Sequence, residues 1–294
     1  MTKKIIIFFL ILTTYSCGQK QSEKNDNNMT NKTFYFIDFS YNQKCGFAIY
    51  VNDVLVKRYS KPVNIDYAIT PINPYILESG KQDIKVILFP FENKELEPDI
   101  EFYLKVFYIE DYNQEVIDAN TIKNIVFELP KIDMESKTTI NLEYKNSFIA
   151  KVPYKVEGWR KSKNLTDLPD INRKVTEKFE SLSNELKNKN VKEFTNSLSK
   201  SMKESESFYY LTNQQIEESI RDLDDVFTLP KIDVAPLNNT VIKFYGNGKL
   251  VTLETIDGKD ALRVLEEEAG RKRENSFPIL LHIPENSNEL EVIR

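Results

Sequence analysis

Two hydrophobic periods divide the chain. From Thr33 to about Glu157, apolar and polar positions alternate in short runs, the period-two pattern of half-buried strands. Candidate strands cover residues 34–39, 47–51, 54–58, 83–89, 102–109, 125–129, 138–144 and 148–152, set apart by Pro, Gly, Asn and charged residues. Asn52-Asp53 predicts a two-residue hairpin loop, because both residue types tolerate positive φ. That loop would place Val51 opposite Val54, Ile49 opposite Val56 and Phe47 opposite Arg58. A run of short strands without intervening helices predicts an antiparallel two-sheet sandwich over residues 33–160.

Near Leu165 the period becomes helical. Ile171, Val175, Phe179, Leu182 and Leu186 share one helix face, with Asp170 placed to cap it. Val191, Phe194, Leu198 and Met202 mark a second helix. A third opens on Thr212 with Gln215 three residues on, a capping box, and carries Ile216, Ile220, Leu223 and Phe227 as its buried stripe. Each stripe is one-sided and needs a partner surface. Residues 241–245 and 249–255 supply one: a hairpin through Gly246-Asn247-Gly248 would pair Phe244 with Val251 and Ile242 with Leu253. Residues 276–283 and 289–293 form a further hairpin, and 259–268 fits either period but reads as strand within this meander. Residues 165–294 therefore predict an α+β domain of three helices on a curved antiparallel sheet. The boundary falls between Glu157 and Pro169, as an exposed linker carrying Lys161 and Lys163.

The N-terminus carries an address. Lys3 and Lys4 precede the unbroken apolar run of residues 5–12, and Ser16 precedes Cys17, the layout of a cleaved export signal over residues 1–16. That run falls short of the roughly 20 apolar residues a spanning helix needs. Thr14-Tyr15-Ser16-Cys17 resembles the lipobox of bacterial lipoproteins, with Thr14 where Leu is common. The resemblance implies that Cys17 is acylated, becomes the new N-terminus and holds the protein to a membrane; an ordinary cleaved signal is the alternative. Residues 17–32 are polar and aperiodic, a tether with an end-to-end distance on the order of 20 Å. Gly18, rather than Asp, follows the cysteine, so the same resemblance implies the outer membrane.

Two further resemblances concern fold. Residues 76–86 look like the turn-and-strand passage of immunoglobulin-like sandwiches. The order of three helices and then antiparallel strands is similar to the cone-shaped fold of nuclear transport factor and steroid isomerase type proteins, in which the cone often encloses a pocket. No family residue transfers on element order alone.

Charge narrows the partners. Removal of residues 1–16 takes Lys3 and Lys4, so the formal charge of −5 becomes −7, with 38 basic against 45 acidic residues. Such a chain is a poor nucleic-acid binder, and the clusters Lys161-Ser162-Lys163 and Arg271-Lys272-Arg273 read as solvated surface.

The chemical inventory is thin. With Cys17 lipidated, Cys45 has no intramolecular partner and reads as a small, semi-buried hydrophobe. His282 is the only histidine and reads as structural; one His and one free Cys cannot furnish the usual zinc set. Asp222, Asp224 and Asp225 lie in one helix and point apart, unlike a calcium loop. Glu254 and Asp257 could serve as an acid-base pair if a pocket raised one of them, and Gly246-Asn247-Gly248-Lys249 is a turn rather than a phosphate loop. No catalytic residue, cofactor or metal site is assigned. Eighteen Phe and fifteen Tyr invite a glycan-binding reading, against which strand cores account for aromatics, and Trp159 reads as packing at the domain seam. The resulting expectation is a non-enzymatic envelope lipoprotein that binds another protein, for example as an immunity protein against a toxin. The alternatives are a small-ligand binder or hydrolase with a C-terminal pocket, and a glycan-binding surface lipoprotein.

Overall fold

The computed structural model describes residues 32–62, 66–91, 95–110, 112, 122–132, 140–228, 232–268 and 271–294. The export signal, Cys17 and the tether up to residue 31 lie outside the described residues, as do residues 138 and 139 of one expected strand.

The first part is built of strands β1 (Thr33–Tyr41), β2 (Gly46–Val51), β3 (Val54–Tyr59), β4 (Tyr67–Pro71), β5 (Gly80–Phe89), β6 (Phe102–Glu110), β7 (Ile125–Glu128) and β8 (Leu142–Ala150). They pair antiparallel in two four-stranded sheets, of order β4-β1-β6-β7 and β3-β2-β5-β8. Rings join the sheets face to face: Phe39 to Phe47 and Phe47 to Phe102, both with centroids 5.0 Å apart. These edge-on and tilted contacts add to the burial of large apolar area that drives the two sheets together.

Three strand expectations change. Of the two strands expected over residues 138–144 and 148–152, residues 142–144 and 148–150 belong to one, β8, because Lys145-Asn146-Ser147 continues the extended chain along the rim of the sheet instead of turning. Strand β4 was hidden by its polar neighbours and by Pro71, which sits at the strand's end, where a missing N–H is tolerated. In the β2–β3 hairpin, Asn52 and Asp53 adopt φ of 50° and 60° as their turn requires. Val51 faces Val54, but a bulge between Ile49 and Tyr50 then slips the register, so Ile49 faces Lys57 and Phe47 faces Tyr59.

The second part contains α1 (Ile171–Lys187), α2 (Val191–Phe208) and α3 (Asn213–Thr228). Strands β9 (Asp233–Val234), β10 (Thr240–Tyr245), β11 (Leu250–Thr255), β12 (Arg263–Glu268), β13 (Arg271–Ser276), β14 (Leu281–His282) and β15 (Glu291–Val292) follow. The capping box is formed: the Thr212 N–H donates to Gln215 Oε1 at 2.9 Å and the Gln215 N–H to Thr212 Oγ1 at 3.3 Å. Asp170 sits at the cap position of α1 but turns its carboxylate to Arg173 instead of to the helix N–H groups. On α3, Leu223 and Phe227 are buried while Ile220 is exposed, so the stripe reaches the core only in its second half. The hairpin β10–β11 pairs Phe244 with Val251 and Ile242 with Leu253, as its turn residues predict. Residues 259–268 contribute a strand, yet the one curved sheet expected is two: β10-β11-β14-β15 and β13-β12-β9. The turn after Thr255 folds the chain over Gly258, at φ 83°, and leaves a single bridge, Glu254 to Asp260, between β11 and the approach to β12. The basic run Arg271-Lys272-Arg273 stands in register against Glu268, Glu267 and Glu266. No helix among the described residues is long and apolar enough to cross a membrane.

The two parts share a core. Phe208, Tyr210, Tyr245, Leu250 and Ile293 from the second belong to the same buried cluster as the strand residues of the first, together with Trp159. A second cluster joins the faces of the three helices to β11, β12, β14 and β15. Polar ties cross the seam: Tyr210 Oη donates to Thr33 O at 2.9 Å, and Arg294 Nε to Pro74 O at 2.9 Å. The Asn247 N–H donates to Asp53 Oδ2, also at 2.9 Å. Residues 158–168 are packed along it, with the Lys163 N–H bonded to Ile283 O and the Leu165 N–H to Gly248 O.

Candidate functional site

The chemistry-bearing side chains gather in two clusters, one around His282 and one around Glu254, and the second draws Arg58 from the first part across the seam. The first surrounds His282, which the pairing of β14 with β11 and β15 places inside the sheet, 1% exposed. Its Nδ1 lies 2.7 Å from Ser162 Oγ, and its Nε2 3.3 Å from Lys200 Nζ of α2 and 3.8 Å from Glu291 Oε2. Lys200 also bonds Glu291 at 3.2 Å. Burial first, then the Lys200 and Arg294 charges, push the imidazole down to about 4, so it is neutral at physiological pH. An ammonium can only donate, so Nε2 accepts from Lys200 and the ring proton sits on Nδ1, donated to Ser162. A histidine donating to a serine cannot take that serine's proton. The contact therefore resembles a nucleophile–base pair in distance and opposes it in polarity.

Ser162 escaped the sequence because it sits between two lysines in a run read as solvated surface. The structure alternates the segment: Lys161 faces water, Ser162 is buried, and Ser162 bridges to Pro284. A small residue between two long cations in an extended stretch is the one signal that was present.

The second cluster is acidic. Glu254 of β11 is 5% exposed; its Oε2 accepts from Arg58 Nη1 of β3 at 2.9 Å, and its Oε1 from the Tyr245 hydroxyl. Arg58 reaches on to Tyr50 Oη at 3.4 Å, and Lys85 Nζ stands 4.3 Å from the centre of the Tyr50 ring. The expected pair of Glu254 with Asp257 is not formed. Asp257 is exposed in the turn, where the Thr255 hydroxyl bonds it at 2.6 Å and holds its carboxyl low. The carboxylate that does approach Glu254 is Asp260, across the bridge between β11 and the approach to β12. Burial, and then the charge of Glu254, push Asp260 up to about 6, against the opposing pull of Ser276 and Arg263. Sequence spacing favoured the nearer aspartate; only the fold of the turn selects the farther one.

The other candidates are separate from these clusters. Cys45 is fully buried rather than half-buried, and burial pushes its thiol up to about 11, far from a reactive thiolate. Trp159 lies in the shared core, its ring 5.4 Å from the Arg294 guanidinium. Asp222 and Asp224 lie on α3, and the side chain of Asp225 is outside the described residues. Among the described residues no three His, Cys, Asp or Glu side chains are grouped to hold a metal ion. Gly246-Asn247-Gly248 forms the β10–β11 turn, its residues at φ of 57°, 56° and 82°. Comparison of the chain with protein-family models, curated proteins and solved structures finds no match.

Proposed function

We propose that this chain is an envelope lipoprotein, tethered through an acylated Cys17, that acts by binding another protein rather than by catalysis. The observation that carries the reading is the way His282 is held. The sole histidine is buried, neutral and donating to Ser162, so it serves the packing of β14 against α2 instead of a reaction. The immunoglobulin-like reading of the first part is supported by two antiparallel sheets with a common aromatic core. The cone-type reading of the second is supported by three helices that precede and pack on antiparallel strands. A toxin-neutralising immunity protein is one form this function takes. A second reading, a small-ligand binder or hydrolase, is favoured by one observation, the carboxyl of Asp260 poised near 6 beside Glu254.

Two experiments test the proposal. Cys17→Ser should move the protein from the membrane to the soluble envelope fraction with its fold intact; unchanged retention removes the anchor. A partner cross-linked in native membranes, then purified, should bind wild type and His282→Gln alike and lose affinity when charges on one exposed face are reversed together. A folded His282→Gln that is null in the host, beside surface variants that behave as wild type, would transfer the function to a pocket.

A further inference from the structure

The outer face of the sheet β4-β1-β6-β7 carries a feature that the buried clusters leave unused. Ser40 of β1 stands directly opposite Tyr67 of β4 on one side and Tyr103 of β6 on the other. Directly opposed residues in antiparallel strands point to the same face, so two tyrosines flank one small serine. Two strand spacings set them about 10 Å apart. Both rings are open to solvent, Tyr67 41% and Tyr103 51% exposed, in a part whose other aromatics mostly fill the core. One pleat along, the same face shows the row Ile69, Asp38, Lys105 and Glu128. Lys105 Nζ stands 3.6 Å from Glu128 Oε1, and burial holds the carboxyl of Asp38 above its ordinary value, against the opposing pull of Lys105.

From this we infer a carbohydrate-binding platform for an extended, uncharged, β-linked polysaccharide, independent of the protein-binding surface proposed above. Sugar rings present flat C–H faces that stack on aromatic rings and equatorial hydroxyls that bond to charged and polar side chains. Here the two stacking groups are spaced to take alternate sugars of an extended chain, with Ser40 leaving room between them. The row below offers acceptors and a donor at the ligand's edge. Charge decides against the other polymers. One lysine between two carboxylates does not attract the phosphates of a nucleic acid or an anionic glycan. A protein hot spot would call for a dry apolar centre, and the centre here is Ser40 with Asp38 and Lys105 beside it.

The test uses the mature chain with cellohexaose and chitohexaose as probes and maltohexaose, whose linkage curls the chain, as the control. Titration followed by heteronuclear NMR should show binding of at least one β-linked probe at a ligand concentration on the order of 1 mM. Tyr67→Ala and Tyr103→Ala should each weaken it about tenfold, with unchanged circular dichroism. Ser40→Trp should block the site while leaving both tyrosines in place. Lack of binding by both β-linked probes overturns the proposal, as does equal binding by the two tyrosine variants or by maltohexaose. Loss of a captured protein partner in the tyrosine variants, with no oligosaccharide bound to the wild type, would assign the face to protein recognition and overturn it as well.

Discussion

His282 is held neutral down to about pH 4, whereas the unfolded chain protonates it near 6.5. A histidine whose folded value is depressed stabilises the fold above the unfolded value, and that stability is lost as pH falls from 6.5 through 4. The shift corresponds to about 3 kcal/mol. Asp260 runs the other way. Its folded value, about 6, lies above the unfolded 3.8, so the folded state takes up a proton more readily and gains stability as pH falls through that window. For this half-buried group about 2 kcal/mol is a fair magnitude after solvent screening. In the wild type the two linkages oppose each other between pH 6 and 4. Single variants should separate them: His282→Gln leaves a chain that is stabilised on acidification relative to wild type, and Asp260→Asn one that is stabilised at pH 7 but loses stability more steeply in acid. Urea unfolding at pH 7, 5 and 4 reads both, and parallel pH profiles for the three proteins would show that neither group is coupled to folding.

At the level of elements, the capping box of α3 offers the cleanest local test. Thr212→Ala removes the hydroxyl that accepts from the Gln215 N–H and should cost about 1 kcal/mol, read as a lower Tm and as faster amide exchange in the first turn of α3. No effect on either would mean that tertiary packing alone fixes the start of that helix. This cap, the stripes of α1 and α2 and the β10–β11 register were legible because each rests on contacts within a few residues of sequence, whereas the stripe of α3 was legible only in its second half, with Ile220 left exposed. What was not legible depended on distant neighbours. The bulge at Ile49/Tyr50 shifts a register that the turn residues alone would set, and Lys145-Asn146-Ser147 stays extended because a rim tolerates polar side chains. The acidic cluster failed for the same reason. Asp257 is nearer Glu254 in sequence, yet a tight turn at Gly258 carries Asp260 to it instead, and Arg58 arrives from the other part of the chain.

For the molecule as a whole, the open question in the sequence was whether residues 157–169 form a loose linker between two independent bodies. Here the segment is tied to both parts: Arg160 Nη1 stands 2.6 Å from Glu78 Oε1 of the first, while in the second the Gly158 N–H bonds Glu204 Oε1 at 2.8 Å, Ser162 is buried against His282, and the Leu165 N–H bonds Gly248 O at 2.8 Å. A core that runs through the seam makes separate unfolding costly, because opening it would bare Phe208, Tyr245 and Leu250 to water at about 25 cal/mol per Å² of apolar surface. The prediction is one cooperative transition, in which the fluorescence of Trp159, the sole tryptophan and a seam residue, changes with the far-ultraviolet circular dichroism of the sheets. Cleavage after Lys161 or Lys163 should be absent under native conditions. Gly246→Ala probes the seam directly: the residue has φ 57°, and a Cβ there would stand 3.0 Å from Trp159 Nε1 and 3.1 Å from Leu250 Cδ1. That variant should lose about 1–3 kcal/mol while its two signals still coincide. A Trp159 transition that precedes the loss of sheet signal, in wild type or in Gly246→Ala, would show instead that the seam opens first and that the two parts are separate folding units.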